Sequence, residues 1–98
     1  MLYTIEEIKN IAIPIVKKYG IASISLFGSY AKGNATIDSD IDFIIDKGDL
    51  IGINYFSLLS DLEDAFNCEV DLITTGYSNK EFLYNIKKDE ILLYIGID

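Results

Sequence analysis

Two aspartates, Asp40 and Asp42, stand one residue apart inside the apolar run DIDFIID, Asp40 to Asp46. In a strand, alternate side chains share a face. The pair would then lie roughly 7 Å apart at the α-carbons, with Ile41, Phe43 and Ile45 turned the other way into a core. Two unpaired carboxylates so close raise each other's pKa and cost stability. A fold that keeps them needs something to compensate them, and a divalent cation does this directly. Oxygen donors alone suit Mg²⁺ or Mn²⁺.

The surrounding pattern is that of a small domain built from helices and short strands. Thr4 and Glu7 form a capping-box pair, and Ile5, Ile8, Ile11, Ile15 and Val16 follow at helical spacing. Pro14 should kink or distort that helix. Lys17 and Lys18 favour its negative end, and Gly20 reads as its stop. Ile21–Phe27, Asp40–Asp46 and Cys68–Thr74 read as strands, and Lys47-Gly48-Asp49 as a turn. Ile51, Tyr55, Leu58, Leu59, Leu62 and Phe66 mark a second long helix. Ser78 with Glu81 opens another, ending near Lys87-Lys88, and ILLYIGI closes the chain as a short strand or extended tail. Interleaved helices and strands predict an α/β (α+β) architecture: a small mixed sheet of three or four strands flanked by helices.

Composition narrows the chemistry. The 98 residues include no His, no Trp and no Arg. Histidine catalysis, histidine-ligated metals and guanidinium clamps on phosphate are therefore excluded. A net charge of −8 argues against a large nucleic-acid footprint, which needs basic surface, and suits a metal-bearing site, a cationic substrate or a basic partner. Cys68 is the single cysteine, so no internal disulfide forms, and it is expected to pack as a small hydrophobe. The start, MLYTIEEIKN, is acidic and amphipathic and does not read as a signal peptide. No apolar run reaches the ~20 residues of a membrane span. The expected compartment is the cytoplasm.

Upstream of the aspartates stands Gly28-Ser29, at the end of the first predicted strand. Glycine there lets backbone approach a ligand closely. Ser29 and the amides after it would open a short helical turn, SYAK, and Lys32 could reach phosphate oxygens. A Walker loop is excluded, because no Gly-Lys-Ser/Thr follows at the required spacing. Asp38, Asp40 and Asp42 imitate the start of a calcium loop, but its sixth and twelfth positions hold Phe43 and Asp49 instead of Gly and Glu. Asp38 reads as turn chemistry. The third strand offers Asp71 among apolar neighbours, with Glu69 on the same predicted face as a competing third carboxylate.

Taken together, a strand, Gly28-Ser29, ten residues, Asp40-Ile41-Asp42 on the next strand and a carboxylate on a third resemble the nucleotidyltransferases of the DNA polymerase β type. At this length the chain resembles the minimal nucleotidyltransferases (MNT) that act as antitoxins beside HEPN-domain toxins. The resemblance covers nearly the whole chain and implies one minimal nucleotidyltransferase domain over residues 1–98. Members often read Gly-Ser-x-Ala-Arg-Gly; here Lys32 holds the Arg position, keeping the charge without the fork. The resemblance implies AMP transfer from ATP, with Asp40, Asp42 and Asp71 as catalytic metal ligands for two Mg²⁺ ions, Mn²⁺ being the alternative. Gly28, Ser29 and Lys32 would contact the nucleotide. The implied acceptor is a hydroxyl, on tyrosine, of a partner HEPN RNase toxin. An aminoglycoside or an RNA 3′ end are competing acceptors, and a module that masks its partner by contact alone is the non-catalytic alternative. Tyr55, Phe56, Phe82, Tyr84 and Tyr94 could supply an interface, to a toxin or to a second copy.

Overall fold

The computed structural model describes residues 2–46, 52–74 and 90–96. The element order is α1 (Ile5–Lys18), β1 (Ser23–Phe27), α2 (Gly28–Lys32), β2 (Ile41–Asp46), α3 (Gly52–Phe66), β3 (Val70–Thr74) and β4 (Ile91–Ile95). The expected turn at Lys47–Asp49, the expected helix opening at Ser78 and the aromatics Phe82 and Tyr84 lie outside the described residues.

Helix α1 begins where the sequence places it. The Thr4 hydroxyl accepts from the Glu7 amide, and the Glu7 carboxylate accepts from the Thr4 amide. These two bonds satisfy N–H groups that a helix start otherwise leaves open. The helix runs on through Pro14, whose side chain is exposed, and ends at Lys18, with Gly20 just beyond it in a left-handed conformation.

Among the described residues, four strands form one mixed sheet in the order β3-β2-β1-β4. β1 lies at the centre, antiparallel to both β2 and β4, while β2 and β3 run parallel. A parallel pair needs a crossover, and α3 supplies it. Ile24 and Leu26 of β1, Ile41, Phe43 and Ile45 of β2, Val70 and Leu72 of β3 and Leu93 of β4 turn toward the helices. There they meet Ile8, Ala12 and Val16 of α1 and Leu58, Leu62 and Phe66 of α3 in one buried cluster. Cys68 is half-buried against that cluster, as a small hydrophobe would be.

The N-terminal residues are tied in as well. The Tyr3 hydroxyl donates to the Phe66 carbonyl, and the Tyr3 amide approaches the buried Tyr30 hydroxyl. Strand alternation leaves the opposite sheet face to Ser23, Ser25 and Phe27, to Asp42, Ile44 and Asp46, and to Asp71 and Ile73. Two of the three expected carboxylates are therefore carried on the face away from α1 and α3.

Candidate active site

The register sets the centre of the site. Asp42 and Asp71 are direct partners across the parallel β2–β3 pair. Neighbouring strands lie about 4.8 Å apart, so the two side chains leave the sheet side by side. Asp40 immediately precedes β2, outside the ladder, and is exposed. It was expected inside the strand; the first ladder bond instead runs from the Ile41 amide to the Glu69 carbonyl. Glu69 likewise precedes β3 and is exposed. Register thus puts Asp71, and not Glu69, opposite Asp42.

The chain leading to Asp40 is held by its own short bonds. The Thr36 amide donates to the Ser39 hydroxyl, the Ser39 amide to the Thr36 carbonyl, and the Asp38 amide to the Thr36 hydroxyl. Asp38 belongs to this turn, in line with its expected role.

Gly28 is fixed by what lies above it. It has φ +70°, and a β-carbon placed there would stand 2.0 Å from Oδ2 of Asp42. The Asp42 carboxylate thus rests on the bare backbone at the junction of β1 and α2. α2 is a five-residue turn, Gly28–Lys32, and no side-chain hydrogen bond caps its start. Lys32 is exposed in its last turn.

The electrostatics agree with this crowding. The Asp42 pKa is pushed up to about 6, first by burial, then by the charges of Asp71 and Asp40. Such a carboxylate is short of positive charge. Among the described residues, no group of three acidic, His or Cys side chains is disposed to hold an ion alone. Mg²⁺ rarely asks for such a cage: it keeps waters and is held by one or two carboxylates with the substrate's phosphates. A half-buried aspartate raised by two like charges fits that donor set.

Two residues of α3 bond the backbone of β3 on either side of Asp71, and the sequence reading gave neither a site role. The Tyr55 hydroxyl donates to the Leu72 carbonyl at 2.5 Å. Oε2 of Glu63 accepts from the Val70 amide at 3.3 Å. Burial, and then the Asp71 charge, push the Tyr55 hydroxyl above its usual range. Their eight-residue spacing on one helix was legible; that they meet the strand carrying Asp71 was not.

The polymerase beta nucleotidyltransferase family matches residues 6–96, nearly the whole chain. The chain belongs to that family. Its relatives include a Methanocaldococcus jannaschii protein, provisionally named protein adenylyltransferase, 36% identical over 94 residues that cover 90% of each chain. Protein adenylyltransferase MntA of Thermococcus cleftensis is 34% identical over 77 residues, covering 74% of this chain and 78% of its own. Among solved structures, a chain of a toxin-antitoxin crystal structure with AMP-PNP superposes with a TM-score of 0.78 at 25% identity, over 90% of this chain and 73% of the other. A complex of tri-AMPylated Shewanella oneidensis HEPN toxin with MNT antitoxin shares the fold, with a TM-score of 0.73 at 22% identity, over 93% of this chain and 72% of that one. Membership in the nucleotidyltransferase family and its mixed α/β fold are thus as the sequence motifs implied.

Proposed function

We propose that this nucleotidyltransferase is an antitoxin that transfers AMP from ATP to a hydroxyl, on tyrosine, of a partner HEPN RNase toxin. The observation that carries the reading is the Asp42–Asp71 pair, placed side by side by the β2–β3 register with Asp42 seated on Gly28. The names of the relatives, protein adenylyltransferases, and the toxin-antitoxin neighbours support a protein acceptor.

Each residue has a distinct task in this reading. Asp40, Asp42 and Asp71 would hold two Mg²⁺ ions, with Mn²⁺ able to replace them. Bound there, the cations supply charge neutralisation at the triphosphate. Gly28 leaves space for close backbone approach, the Ser29 hydroxyl adds a hydrogen bond to phosphate, and Lys32 brings an exposed positive charge from the end of α2. The acceptor hydroxyl, its pKa lowered beside Asp71, would give its proton to solvent; its oxygen attacks the α-phosphorus in line as the bond to pyrophosphate breaks. Positioning and charge compensation perform most of the catalysis, with no covalent protein intermediate. Residues 1–98 act as one minimal domain, and no nucleic acid is bound directly. No described helix is long and apolar enough to cross a membrane, and the proposed site of action is the cytoplasm.

The test is incubation with α-labelled ATP, Mg²⁺ and the protein encoded by the adjacent gene. Wild type is expected to label that protein and abolish its RNase activity, and Asp42→Asn to do neither. An Asp42→Asn protein that neutralises the partner fully without labelling it would replace the proposal by masking through contact.

A further inference from the structure

Among the described residues, strand β3 is an edge of the sheet, and it carries one member of the acidic pair. In its parallel ladder with β2, the Ile41 amide bonds to the Glu69 carbonyl. That phase turns the backbone groups of Asp71 toward β2 and those of Val70 and Leu72 outward. The outward groups would normally go to water or to another chain, because an edge strand offers unpaired N–H and C=O groups along its length. Here α3 takes two of them. Glu63 accepts the Val70 amide, and Tyr55 donates to the Leu72 carbonyl. The two side chains are eight residues apart on α3, a spacing that keeps them on one helical face. They therefore grip the residues on either side of Asp71 from the side opposite β2.

We propose that Tyr55 and Glu63 are positioning residues that clamp the outer edge of β3 on both sides of Asp71 and so hold its carboxylate opposite Asp42. The proposal rests on the reading of Asp42 and Asp71 as the cation- and phosphate-binding pair. The physical need is plain. Two carboxylates on adjacent strands repel, and before any cation arrives that force pushes β3 away from β2. Among the described residues, the β2 ladder resists it from one side. The clamp resists it from the other, through a helix anchored in the core by Leu58, Leu62 and Phe66. The site is thereby preorganised, so binding energy is not spent on drawing β3 back.

The experiment compares Tyr55→Phe, Glu63→Ala, Glu63→Gln and Asp42→Asn with wild type. Two readouts are taken on the intact protein: Mn²⁺ affinity by electron paramagnetic resonance with a non-hydrolysable ATP analogue present, and kcat and KM for AMP transfer to the partner. Loss of a residue that orients a ligand typically costs about 10–100-fold in metal affinity or activity. Tyr55→Phe and Glu63→Ala are expected to lose Mn²⁺ affinity and kcat in that range, with KM for ATP within about twofold of wild type. Glu63→Gln, whose amide oxygen still accepts the Val70 N–H, is expected to recover most of both. Mn²⁺ binding that is lost in Asp42→Asn but kept in Tyr55→Phe and Glu63→Ala would overturn the clamp alone. Mn²⁺ binding equal in wild type and Asp42→Asn would overturn the site reading, and the clamp with it. A loss in Glu63→Ala that Glu63→Gln does not restore, with Tyr55→Phe at wild-type affinity, would also sink the clamp.

Discussion

A methyl group added at Gly28 would sit 2.0 Å from the Asp42 carboxylate, on a backbone with φ +70°. The left-handed conformation alone costs a non-glycine residue about 1–2 kcal/mol. The larger effect is positional, because the carboxylate has to leave its seat. Displacing a reacting group by ~1 Å can cost about 10²-fold in rate. Gly28→Ala is expected to lose at least that much AMP transfer, measured as kcat, while its melting temperature falls only modestly. Transfer at the wild-type rate would show that Asp42 has no need of that seat. Acidity tests the crowding of Asp42 separately. The Asp42 pKa rises from 3.8 to about 6 on folding. A raised carboxylate pKa means the folded state holds its proton more tightly. The penalty is absent below about pH 4, builds between 4 and 6, and is complete above 6. In the cation-free protein, Asp42→Asn should therefore exceed wild type in stability at pH 7.5, and the difference should shrink by pH 5. Urea titrations at the two pH values read it directly; an unchanged difference would mean that Asp42 carries no such penalty.

At the scale of elements, the signals that were legible were local ones. The Thr4–Glu7 box marked the start of α1, and Gly28 marked the end of β1, because capping and turn chemistry act over three or four residues. The acidic pair Asp40–Asp42 stood out as a candidate because charge inside an apolar run demands a reason. What depends on pairing was not legible. Asp40 was read as a strand residue, yet the ladder begins at Ile41, because the length of β2 is set by where β3 starts. The choice between Glu69 and Asp71 stayed open in the sequence for the same reason. Register across a helical crossover sets which of the two stands opposite Asp42, and no short-range pattern encodes register. The roles of Tyr55 and Glu63 depend on β3 being an edge, a fact of strand order. Aromatic residues proposed for an interface divide similarly: Phe56 is 71% exposed, whereas Tyr55 and Tyr94 lean on the core.

Over the whole molecule, one cluster joins α1, α3 and all four strands. A domain of this size has a total stability of about 5–15 kcal/mol. Leu62 is fully buried in the C-terminal half of α3, and truncating such a leucine to alanine costs about 2–5 kcal/mol. Leu62→Ala is thus expected to remove a large share of the total and still unfold in one transition, followed by urea denaturation with two spectroscopic probes. Two separated transitions would contradict a shared core.

The position of β1 has a consequence for how the molecule is made. Ser23–Phe27 occupies the middle of the sheet, yet its second partner, Ile91–Ile95, is specified some seventy residues later. The nearby β2 can zip onto it early; β3 follows only after α3 has folded back, and β4 only after that. Contacts of long sequence separation form slowly, because loop closure precedes their reward. During synthesis the central strand therefore waits with one flank bare, and a ribosome-bound chain is most open to wrong pairing in the interval before its last strand arrives.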